Sequence, residues 1–230
     1  MNTTINHIKH LAIIMDGNAR WASEHGLSKA EGHKTGAETI KKIIPNIMEL
    51  NIPYLTLYAF SSENWQRGKE ETSFLLELLN YYLKKEVASL NKNGIKIKII
   101  GKFDRLGTIT KKRIIQAIEL TKNNCKMTLC IAFSYGSRLE IVDACQKIVN
   151  SGDKEITEDN FKNYLYDPDM PDVDLLIRTS GVFRISNFLL WQAAYAELYF
   201  SKKYWPDFDK SDILEALEDY SKRKRNFGAR

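Results

Sequence analysis

The stretch "HLAIIMDGNARW", residues 10–21, decides how this chain of 230 residues folds. Its five apolar residues, Leu11 to Met15, predict a strand that is buried on both faces, as in a parallel sheet. Within the next five positions come a carboxylate, a glycine, an amide and a guanidinium. Folding does not require that combination. We therefore expect these residues to hold a ligand where the strand ends.

Short apolar runs of the same kind alternate with amphipathic segments along the chain. The predicted strands cover residues 10–15, 54–60, 95–100, 127–133 and 173–177, with a sixth at 197–200. The predicted helices cover residues 34–50, 73–93, 107–122, 139–149 and 211–226. This alternation predicts one α/β domain over residues 1–230, in which helices cover both faces of a mostly parallel sheet of about six strands.

Composition excludes several classes of protein. The chain is 43% hydrophobic and 27% charged, which is typical of a globular domain. A net charge of +5 is too small to predict a nucleic-acid partner, and three cysteines without C-x-x-C spacing predict no zinc site. The sequence has no P-loop motif and no nucleophile elbow. It also has neither a long apolar run nor a secretory signal, so we expect a cytoplasmic protein.

Four polar segments follow predicted strands. They cover residues 16–20 after the first strand, 61–67 after the second, 134–138 after the fourth and 178–181 after the fifth. Because ligands of open α/β sheets bind at the carboxyl ends of the strands, we expect these segments to form one crevice. A single segment could arise by chance, but four on one edge predict a binding site.

The side chains of these segments are suited to phosphate oxygens. Arginine offers a planar fork of donors, and the candidates are Arg20, Arg67, Arg178 and Arg184. Gly17 and Gly32 would let backbone N–H groups approach a ligand closely. His33 either opens the helix predicted from residue 34, where an anion is favoured, or simply starts that helix.

Two carboxylates, Asp16 and Glu197, are candidates for sharing a Mg²⁺ ion, which often binds one or two carboxylates together with substrate phosphates. Glu197 lies in the apolar run "FLLWQAAYAELYF", where an unpaired carboxylate is unfavourable. The sequence leaves three explanations open for it: exposure, hydrogen bonding or metal binding. With the arginines, these carboxylates predict a diphosphate site that uses Mg²⁺.

Structural roles are the alternatives for some of these residues. Asp16 could cap a turn, because Asp-Gly is a common turn dipeptide. Arg178 and Arg184 could form structural ion pairs with Asp172 or Asp174. The apolar face of the helix predicted at residues 73–93 also has two explanations, since it could pack in the core or line a cavity for an apolar ligand.

Five blocks of sequence together resemble one known family. They are "HLAIIMDGNARW", "GHKTGAE", "LTLYAFSSENWQR", "IRTSGVFRISNFLLWQAAYAELYF" and "WPDF". In this order they resemble the cis-prenyltransferases, above all bacterial undecaprenyl diphosphate synthases (isoprenyl transferases), over residues 10–228. The resemblance implies a Mg²⁺-dependent homodimer that adds isopentenyl diphosphate repeatedly to an allylic primer, usually farnesyl diphosphate. Each new double bond would be cis, and the product would be the lipid carrier for cell-wall sugars.

The resemblance also implies roles for individual residues. Asp16 would hold Mg²⁺ together with Glu197 and assist departure of the allylic diphosphate, and Asn64 matches the residue proposed as proton acceptor. The residues that would bind the allylic diphosphate are Gly17, Asn18, Ala19, Arg20, Lys29, His33 and Arg67. Those that would border the substrate are Trp21, Ser61, Ser62, Glu63 and Trp65. Those that would bind isopentenyl diphosphate are Arg178, Arg184, Ile185 and Ser186.

A growing hydrocarbon needs an apolar tunnel, which the resemblance places along the helix predicted at residues 73–93. Ile43 and Ile47 on the preceding helix would complete its wall, and Met127 and Leu129 would form its floor. Because the product is very hydrophobic, loose contact of the enzyme with the inner face of the membrane remains an open possibility. Two other functions are also open: a non-catalytic subunit that only binds ligand, and a phosphate-transferring enzyme with a polar substrate.

The sequence departs from the family pattern at several positions. Ala19 and Ser180 stand where the family has glycine, and Lys29 stands where it has arginine. Val182 removes a carboxylate near the second diphosphate, and Gly68 replaces a proline. None of these changes removes a residue assigned to the metal or to transfer. We expect activity, with changed affinity for the substrates.

Overall fold

In the computed structural model, which describes residues 8–225, six strands form one parallel sheet. The strands are β1 (His10–Ile14), β2 (Tyr54–Ser61), β3 (Ile95–Ile100), β4 (Met127–Tyr135), β5 (Leu175–Arg178) and β6 (Glu197–Phe200). Their order across the sheet is β3-β4-β2-β1-β5-β6, and every neighbouring pair is parallel. The predicted α/β fold is confirmed, and no strand of this sheet is antiparallel.

Eight helices surround the sheet within residues 8–225. They are α1 (Asn18–Glu24), α2 (Lys29–Glu49), α3 (Lys69–Lys85), α4 (Val87–Lys92), α5 (Thr108–Thr121), α6 (Ser137–Ser151), α7 (Glu158–Phe161) and α8 (Lys210–Lys222). Short 3₁₀ turns lie at Ser62–Gln66, Lys162–Tyr164 and Trp205–Asp207. Over this range, no helix combines the length and the apolar composition that crossing a bilayer requires.

Three helix boundaries differ from the sequence prediction. The helix α2 begins at Lys29 rather than near residue 34, because Ser28 and Glu31 form a capping box ahead of it. The segment predicted as one helix at 73–93 consists of α3 and α4, which meet at Glu86 with helical backbone angles there. The last predicted helix ends at Lys222, and residue 226 lies outside the described residues.

The core lies on both faces of the sheet, which is why the central strands are apolar throughout. Alternate residues of β1 point to opposite faces: Leu11 and Ile13 pack beneath α2 and α8, whereas Ala12 and Ile14 pack against the loop that contains Phe188. All five residues of β1 are buried. A third cluster lies between β3, β4 and the helices α3 to α5.

The first residue of β1, His10, is a fully buried polar side chain with two partners. Its Nδ1 atom donates to the carbonyl oxygen of Pro171 at 2.7 Å, so its Nε2 atom accepts from the Thr56 hydroxyl, also at 2.7 Å. Burial lowers the pKa of His10 to about 4, although the Pro171 carbonyl and nearby carboxylates oppose this shift. The ring of His10 is therefore neutral in the folded protein at neutral pH.

This neutral histidine predicts sensitivity to mild acid. Above pH 6.5 the ring is neutral in both states, but at lower pH the unfolded chain takes up the proton first, so stability falls until about pH 4. Between pH 7 and pH 4, the free energy of unfolding should fall by about 3 kcal/mol more in the wild type than in His10→Asn. Urea unfolding at several pH values measures this difference. Equal slopes for wild type and His10→Asn would contradict the prediction.

Candidate active site

A cavity of about 1040 Å³ opens at the carboxyl ends of β1, β2 and β5. Polar side chains from the loops after these strands line its mouth. From there it extends between α2 and α3 to residues near the amino ends of β3 and β4, including Ile95 and Leu129. The crevice expected at this edge of the sheet therefore exists, and it continues as an apolar tunnel.

Most of the residues predicted for the site line this cavity. They are Asp16, Gly17, Asn18, Ala19, Arg20, Lys29, His33, Ser61, Glu63, Asn64, Arg67, Arg178, Arg184 and Ser186. They come from segments separated by more than 160 positions in the chain, and the parallel sheet brings them together. The mouth consequently combines four arginines with the carboxylate of Asp16.

Asp16 and Arg178 form an ion pair at the centre of the mouth. Asp16 Oδ2 accepts from Arg178 Nη2 at 2.8 Å, and its Oδ1 accepts from the backbone N–H of Gly17 at 2.7 Å and lies 3.4 Å from Arg20 Nη2. Burial acts to raise the pKa of Asp16, but the hydrogen bond and charge of Arg178 outweigh it and lower that pKa below its usual value. Asp16 is therefore ionised at neutral pH.

The alternative role for Arg178, a structural ion pair with Asp172 or Asp174, is not what the structure shows. Arg178 points to Asp16 because β5 pairs with β1 in a register that places Arg178 beside Ile14, two residues before Asp16. Asp174 instead accepts from Arg225 and from the backbone N–H groups of Lys9 and His10 at the start of β1. Asp16 is thus more than a turn-capping residue.

The loop after β5 is held in a strained conformation around Arg178. Nη1 of Arg178 donates to the carbonyl oxygen of Arg184 at 2.5 Å and to Ser186 Oγ at 2.7 Å. Ser186, Asn187 and Leu189 all have positive φ values, between 46° and 62°. Strain of this kind persists where surrounding contacts impose it, and it is frequent at functional sites. The loop holds Arg184 and Ser186 at the edge of the cavity.

His33 lies one turn inside α2 rather than at its start, so the expectation that it opens a helix is wrong. Its Nε2 atom is 3.5 Å from Glu71 Oε1, too long for a well-formed hydrogen bond. Burial lowers the pKa of His33, and the Arg67 charge contributes while Glu71 opposes this change. The ring is neutral at pH 7 and lies against a carboxylate.

Glu71 is a site residue that the sequence analysis missed. Its Oε1 atom accepts from Arg67 Nη1 at 2.7 Å, and its carboxylate is also within 4.0 Å of the Lys29 ammonium group. It lines the cavity and lies beside Lys29, His33 and Arg67, three side chains that were predicted to bind one diphosphate. The signal was available, since Arg67 and Glu71 are four residues apart on a helix start.

Three buried polar atoms at the mouth have no hydrogen-bond partner among the described residues. They are Asn18 Oδ1, His33 Nε2 and Arg178 Nε, and all three side chains line the cavity. Such atoms are rare in folded proteins, because an unsatisfied buried polar group is costly. Their convergence on one cavity indicates that the site is built for a polar ligand.

The inner part of the cavity is apolar. Leu75, Leu78 and Leu79 on α3 line it and are only partly buried, and Leu75 and Leu79 also pack against the core cluster between β3, β4 and the helices. Both explanations left open by the sequence therefore apply: this face of α3 packs in part against the core and in part lines the cavity. The helix α4 contributes Val87 and Leu90 to the same wall.

The other side of the tunnel differs from the prediction. Ile43 and Ile47 are buried in the core, and the cavity is instead lined by the adjacent face of α2, namely Ile40, Ile44, Pro45 and Met48. Leu129 lines the cavity as expected, whereas Met127 packs in the core. The face of α2 that carries Ile43 and Ile47 packs against the core, and the neighbouring face meets the tunnel.

Several predicted substrate residues do not line the cavity. Trp21 stacks on His25 and donates to Asp207, and Trp65 packs against Phe60. Ser62 and Ile185 lie in lining loops without lining the cavity themselves, and Gly32 packs α2 closely against α1. The segment 134–138 does not line the cavity either. The backbone N–H groups of residues 137 and 138 donate to Asn187, which does line it.

Glu197 does not meet Asp16 within one chain. It begins β6 opposite Leu175, near the amino end of the sheet, whereas Asp16 follows the carboxyl end of β1. Its carboxylate accepts from Arg223 Nη1 at 2.8 Å, so hydrogen bonding is the explanation that fits it here. Across residues 8–225, no group of three or more His, Cys, Asp or Glu residues is arranged to hold a metal ion.

Comparisons with known proteins agree with this arrangement. The family model described as "Putative undecaprenyl diphosphate synthase" matches residues 14–228. An isoprenyl transferase of Rickettsia felis is 66% identical over 226 residues, which cover 98% of this chain and 96% of the relative. This chain belongs to the undecaprenyl diphosphate synthase family. The enzyme class expected from the sequence, a cis-prenyltransferase, is confirmed.

Solved structures support the same family. The lavandulyl diphosphate synthase from Lavandula x intermedia, in complex with dimethylallyl diphosphate, has a TM-score of 0.92 and 37% identity, covering 96% of this chain and 98% of that one. A "probable undecaprenyl diphosphate synthase" from Campylobacter jejuni has a TM-score of 0.83 and 36% identity, covering 99% and 100%. The fold and its family are therefore shared along nearly the whole length.

One departure from the family pattern has a simple structural outcome. Ala19 is the second residue of α1 and does not have a positive φ, so an alanine causes no backbone strain at this position. Glycine is needed two residues earlier. Gly17 has φ of 104°, and a Cβ atom there would lie 2.6 Å from the ring of Tyr204 and 2.9 Å from Ser180 Cβ.

Gly17 should tolerate alanine much less well than Gly26, which has φ of 67° but no atom within 4 Å of an added Cβ. Gly26→Ala should lower the free energy of unfolding by about 1 kcal/mol through backbone strain alone. Gly17→Ala adds overpacking, for a total of about 3 kcal/mol. Urea unfolding of both variants measures the difference. Equal losses would show that the contact with Tyr204 and Ser180 relaxes without cost.

Proposed function

We propose that this enzyme condenses isopentenyl diphosphate repeatedly onto farnesyl diphosphate, with Mg²⁺, and forms a cis double bond at each step. The product is a polyprenyl diphosphate of undecaprenyl length, the precursor of the lipid carrier for cell-wall synthesis. One observation carries the proposal: the cationic mouth and the apolar tunnel are parts of a single cavity of about 1040 Å³. A diphosphate with a long hydrocarbon tail has the same division into a charged head and an apolar chain.

The allylic diphosphate is assigned to the loop of residues 16–20 together with Lys29, His33 and Arg67. Glycine at position 17 and the first turn of α1 leave backbone N–H groups without helical acceptors, as at every helix start. Arg20 and Arg67 also line the cavity and add charge. The tail of this substrate then extends along α3, away from water.

Isopentenyl diphosphate is assigned to Arg178, Arg184 and Ser186, on the other side of Asp16. In the reaction, the allylic C–O bond breaks and the diphosphate leaves with its electron pair. The isopentenyl double bond supplies electrons for the new C–C bond, and a proton is then lost from the neighbouring carbon. Holding both substrates in line supplies much of the rate, and the arginines stabilise the departing charge.

Asn64 is placed to position a substrate more than to accept a proton. Its Oδ1 atom accepts from the backbone N–H of Ser61 at 3.0 Å, so the group it offers to a ligand is its NH₂ donor. A neutral amide is also a weak base. We assign the proton acceptor role to a diphosphate oxygen, which Asn64 would help to orient.

Asp16 fits Mg²⁺ in the way that is usual for this ion, because one ionised carboxylate can share it with diphosphate oxygens and water. When bound there, the ion would neutralise charge on the departing diphosphate. Because Glu197 of the same chain lies near the opposite end of the sheet from Asp16, a second carboxylate for the metal has to come from elsewhere.

Glu197 supplies that carboxylate only if a second copy of the chain takes part. The strand β6 is an edge of the sheet, and large apolar side chains are exposed beside it: Phe183, Tyr195 and Leu198. An exposed apolar edge is a typical site of association between copies. We therefore propose a homodimer in which β6 and its neighbours form the contact and Glu197 approaches the metal of the other copy.

The location follows from the substrates, and we assign the enzyme to the cytoplasm. The polyprenyl product is poorly soluble in water, which favours loose contact with the inner face of the membrane when product leaves. Nucleic acid is not among the proposed partners, since the net charge is only +5.

Incubation of the purified chain with farnesyl diphosphate, isopentenyl diphosphate and Mg²⁺ tests the central proposal. Chromatography of the dephosphorylated products should show chains of undecaprenyl length, and chelation of Mg²⁺ should stop their formation. Asp16→Ala should lower the rate by about 10³-fold, because it removes charge stabilisation at the leaving group. Asp104→Ala, an exposed substitution outside the cavity, serves as control. Ligand binding in calorimetry without turnover would instead favour a non-catalytic subunit.

Mixing two inactive variants tests the shared metal site. If Asp16 of one copy works with Glu197 of the other, an Asp16→Ala and Glu197→Ala heterodimer keeps one complete site. Random pairing of the two variants should then restore about a quarter of the wild-type rate. No restoration, with mixed dimers demonstrated by tagged copies, would mean that each chain completes its own site.

The tunnel predicts product length. Leu79→Trp places a larger side chain on the α3 wall and narrows the tunnel. It should therefore shift products to shorter chains while the first condensation continues. The matched control is Ile115→Trp, because Ile115 is 61% exposed on α5 and outside the cavity. Unchanged product lengths in Leu79→Trp would contradict the tunnel, and would favour an enzyme whose substrate is polar.

A further inference from the structure

Arg20 is a half-exposed side chain that is nevertheless held in one place. Its guanidinium lies 5.5 Å from the centre of the Tyr204 ring and 3.4 Å from Asp16 Oδ1. Its Nη2 atom donates to Ser180 Oγ at 2.5 Å, and its Nη1 atom donates to the Ser180 carbonyl oxygen at 3.3 Å. Ser180 is therefore the residue that makes the most hydrogen bonds to Arg20.

Ser180 adopts a backbone conformation that disfavours any residue with a Cβ atom. Its φ is 76°, and Gly181 follows with φ of 68°. The two backbone N–H groups donate to the carbonyl oxygens of Lys203 and Ser201, which ties this turn to the segment after β6. The turn itself needs no side chain at position 180. A glycine would suit its backbone better, so the hydroxyl is the part of Ser180 that calls for an explanation.

Ser180 is 6% exposed and does not line the cavity, whereas Arg20 does. An effect of Ser180 on a bound ligand must therefore pass through Arg20. A free arginine loses rotamer freedom when it binds a phosphate, and holding it in advance removes that cost. Two donors of the guanidinium are used by Ser180, which leaves Nε and one N–H on each terminal nitrogen for a ligand.

We propose that Ser180 is a positioning residue that, with the ring of Tyr204, holds Arg20 beside Asp16, so that affinity for the allylic diphosphate depends on a hydroxyl at position 180. This inference rests on the proposed function, because it takes Arg20 as a ligand of the allylic diphosphate. Isopentenyl diphosphate is assigned to the far side of Asp16, so its binding should not depend on Ser180.

Two substitutions separate the hydroxyl from the backbone strain. Ser180→Ala removes the hydroxyl and keeps the Cβ atom, whereas Ser180→Gly removes the hydroxyl and relieves the strain. Both should raise KM for farnesyl diphosphate by about three- to ten-fold, the range for one lost hydrogen bond. For both variants, kcat and KM for isopentenyl diphosphate should stay within about two-fold of wild type. Only Ser180→Gly should also raise the urea midpoint of unfolding.

A purely structural role for Ser180 predicts a different result, since damage to the fold would lower stability as KM rises. In Ser180→Gly, by contrast, both KM for farnesyl diphosphate and the urea midpoint of unfolding should increase. Asn51→Gly is the matched control, because it relieves a positive φ of 55° in the turn before β2, away from the cavity. It should raise the urea midpoint and leave KM for farnesyl diphosphate unchanged.

The ring of Tyr204 gives a second comparison. Tyr204→Phe keeps the ring over Arg20 and loses only the hydrogen bond to Glu24, so KM for farnesyl diphosphate should stay near that of wild type. Tyr204→Leu loses the ring and should raise that KM. An unchanged KM in Ser180→Ala and Ser180→Gly, in an active enzyme, overturns the inference alone. Absence of condensation by the wild-type chain overturns the proposed function instead.

Discussion

The pairing of β5 with β1 is the constraint on which the site depends. It places Arg178 next to the end of β1, where its guanidinium reaches Asp16 at 2.8 Å. A buried arginine needs a counter-charge, and Asp16 provides it while keeping a second oxygen beside Gly17 and Arg20. The strained loop after β5 is then fixed by the remaining donors of Arg178. A shift of one residue in this register would separate all of these groups.

The sequence predicted the fold well because the parallel strands are buried on both faces and leave a plain apolar signal. The same reasoning predicted that four polar segments line the cavity, because the carboxyl ends of parallel strands share one edge. Three of the four do so. It failed for residues 134–138, whose backbone supports Asn187 from behind. Distance along the chain cannot tell a lining loop from a supporting one.

Other errors have local causes. The first helix, α1, was not predicted because seven residues are too few for a periodic pattern. The two tryptophans of the predicted site found partners outside the cavity, which large rings with one donor readily do. Glu71 was missed because its role also depends on Lys29 and His33, which belong to α2, and not only on Arg67, four residues before it in the chain. Such a convergence exists only in three dimensions.

The half-buried leucines of α3 have a thermodynamic consequence. An ordinary helix of this length is stabilised by apolar neighbours that belong to the same chain, but Leu75, Leu78 and Leu79 also face the cavity and are only partly covered by such neighbours. A hydrocarbon that enters the cavity supplies the missing packing partner. Ligand occupancy and local folding of α3 are therefore linked, and each isoprene unit added to the chain extends the substitute core along the helix.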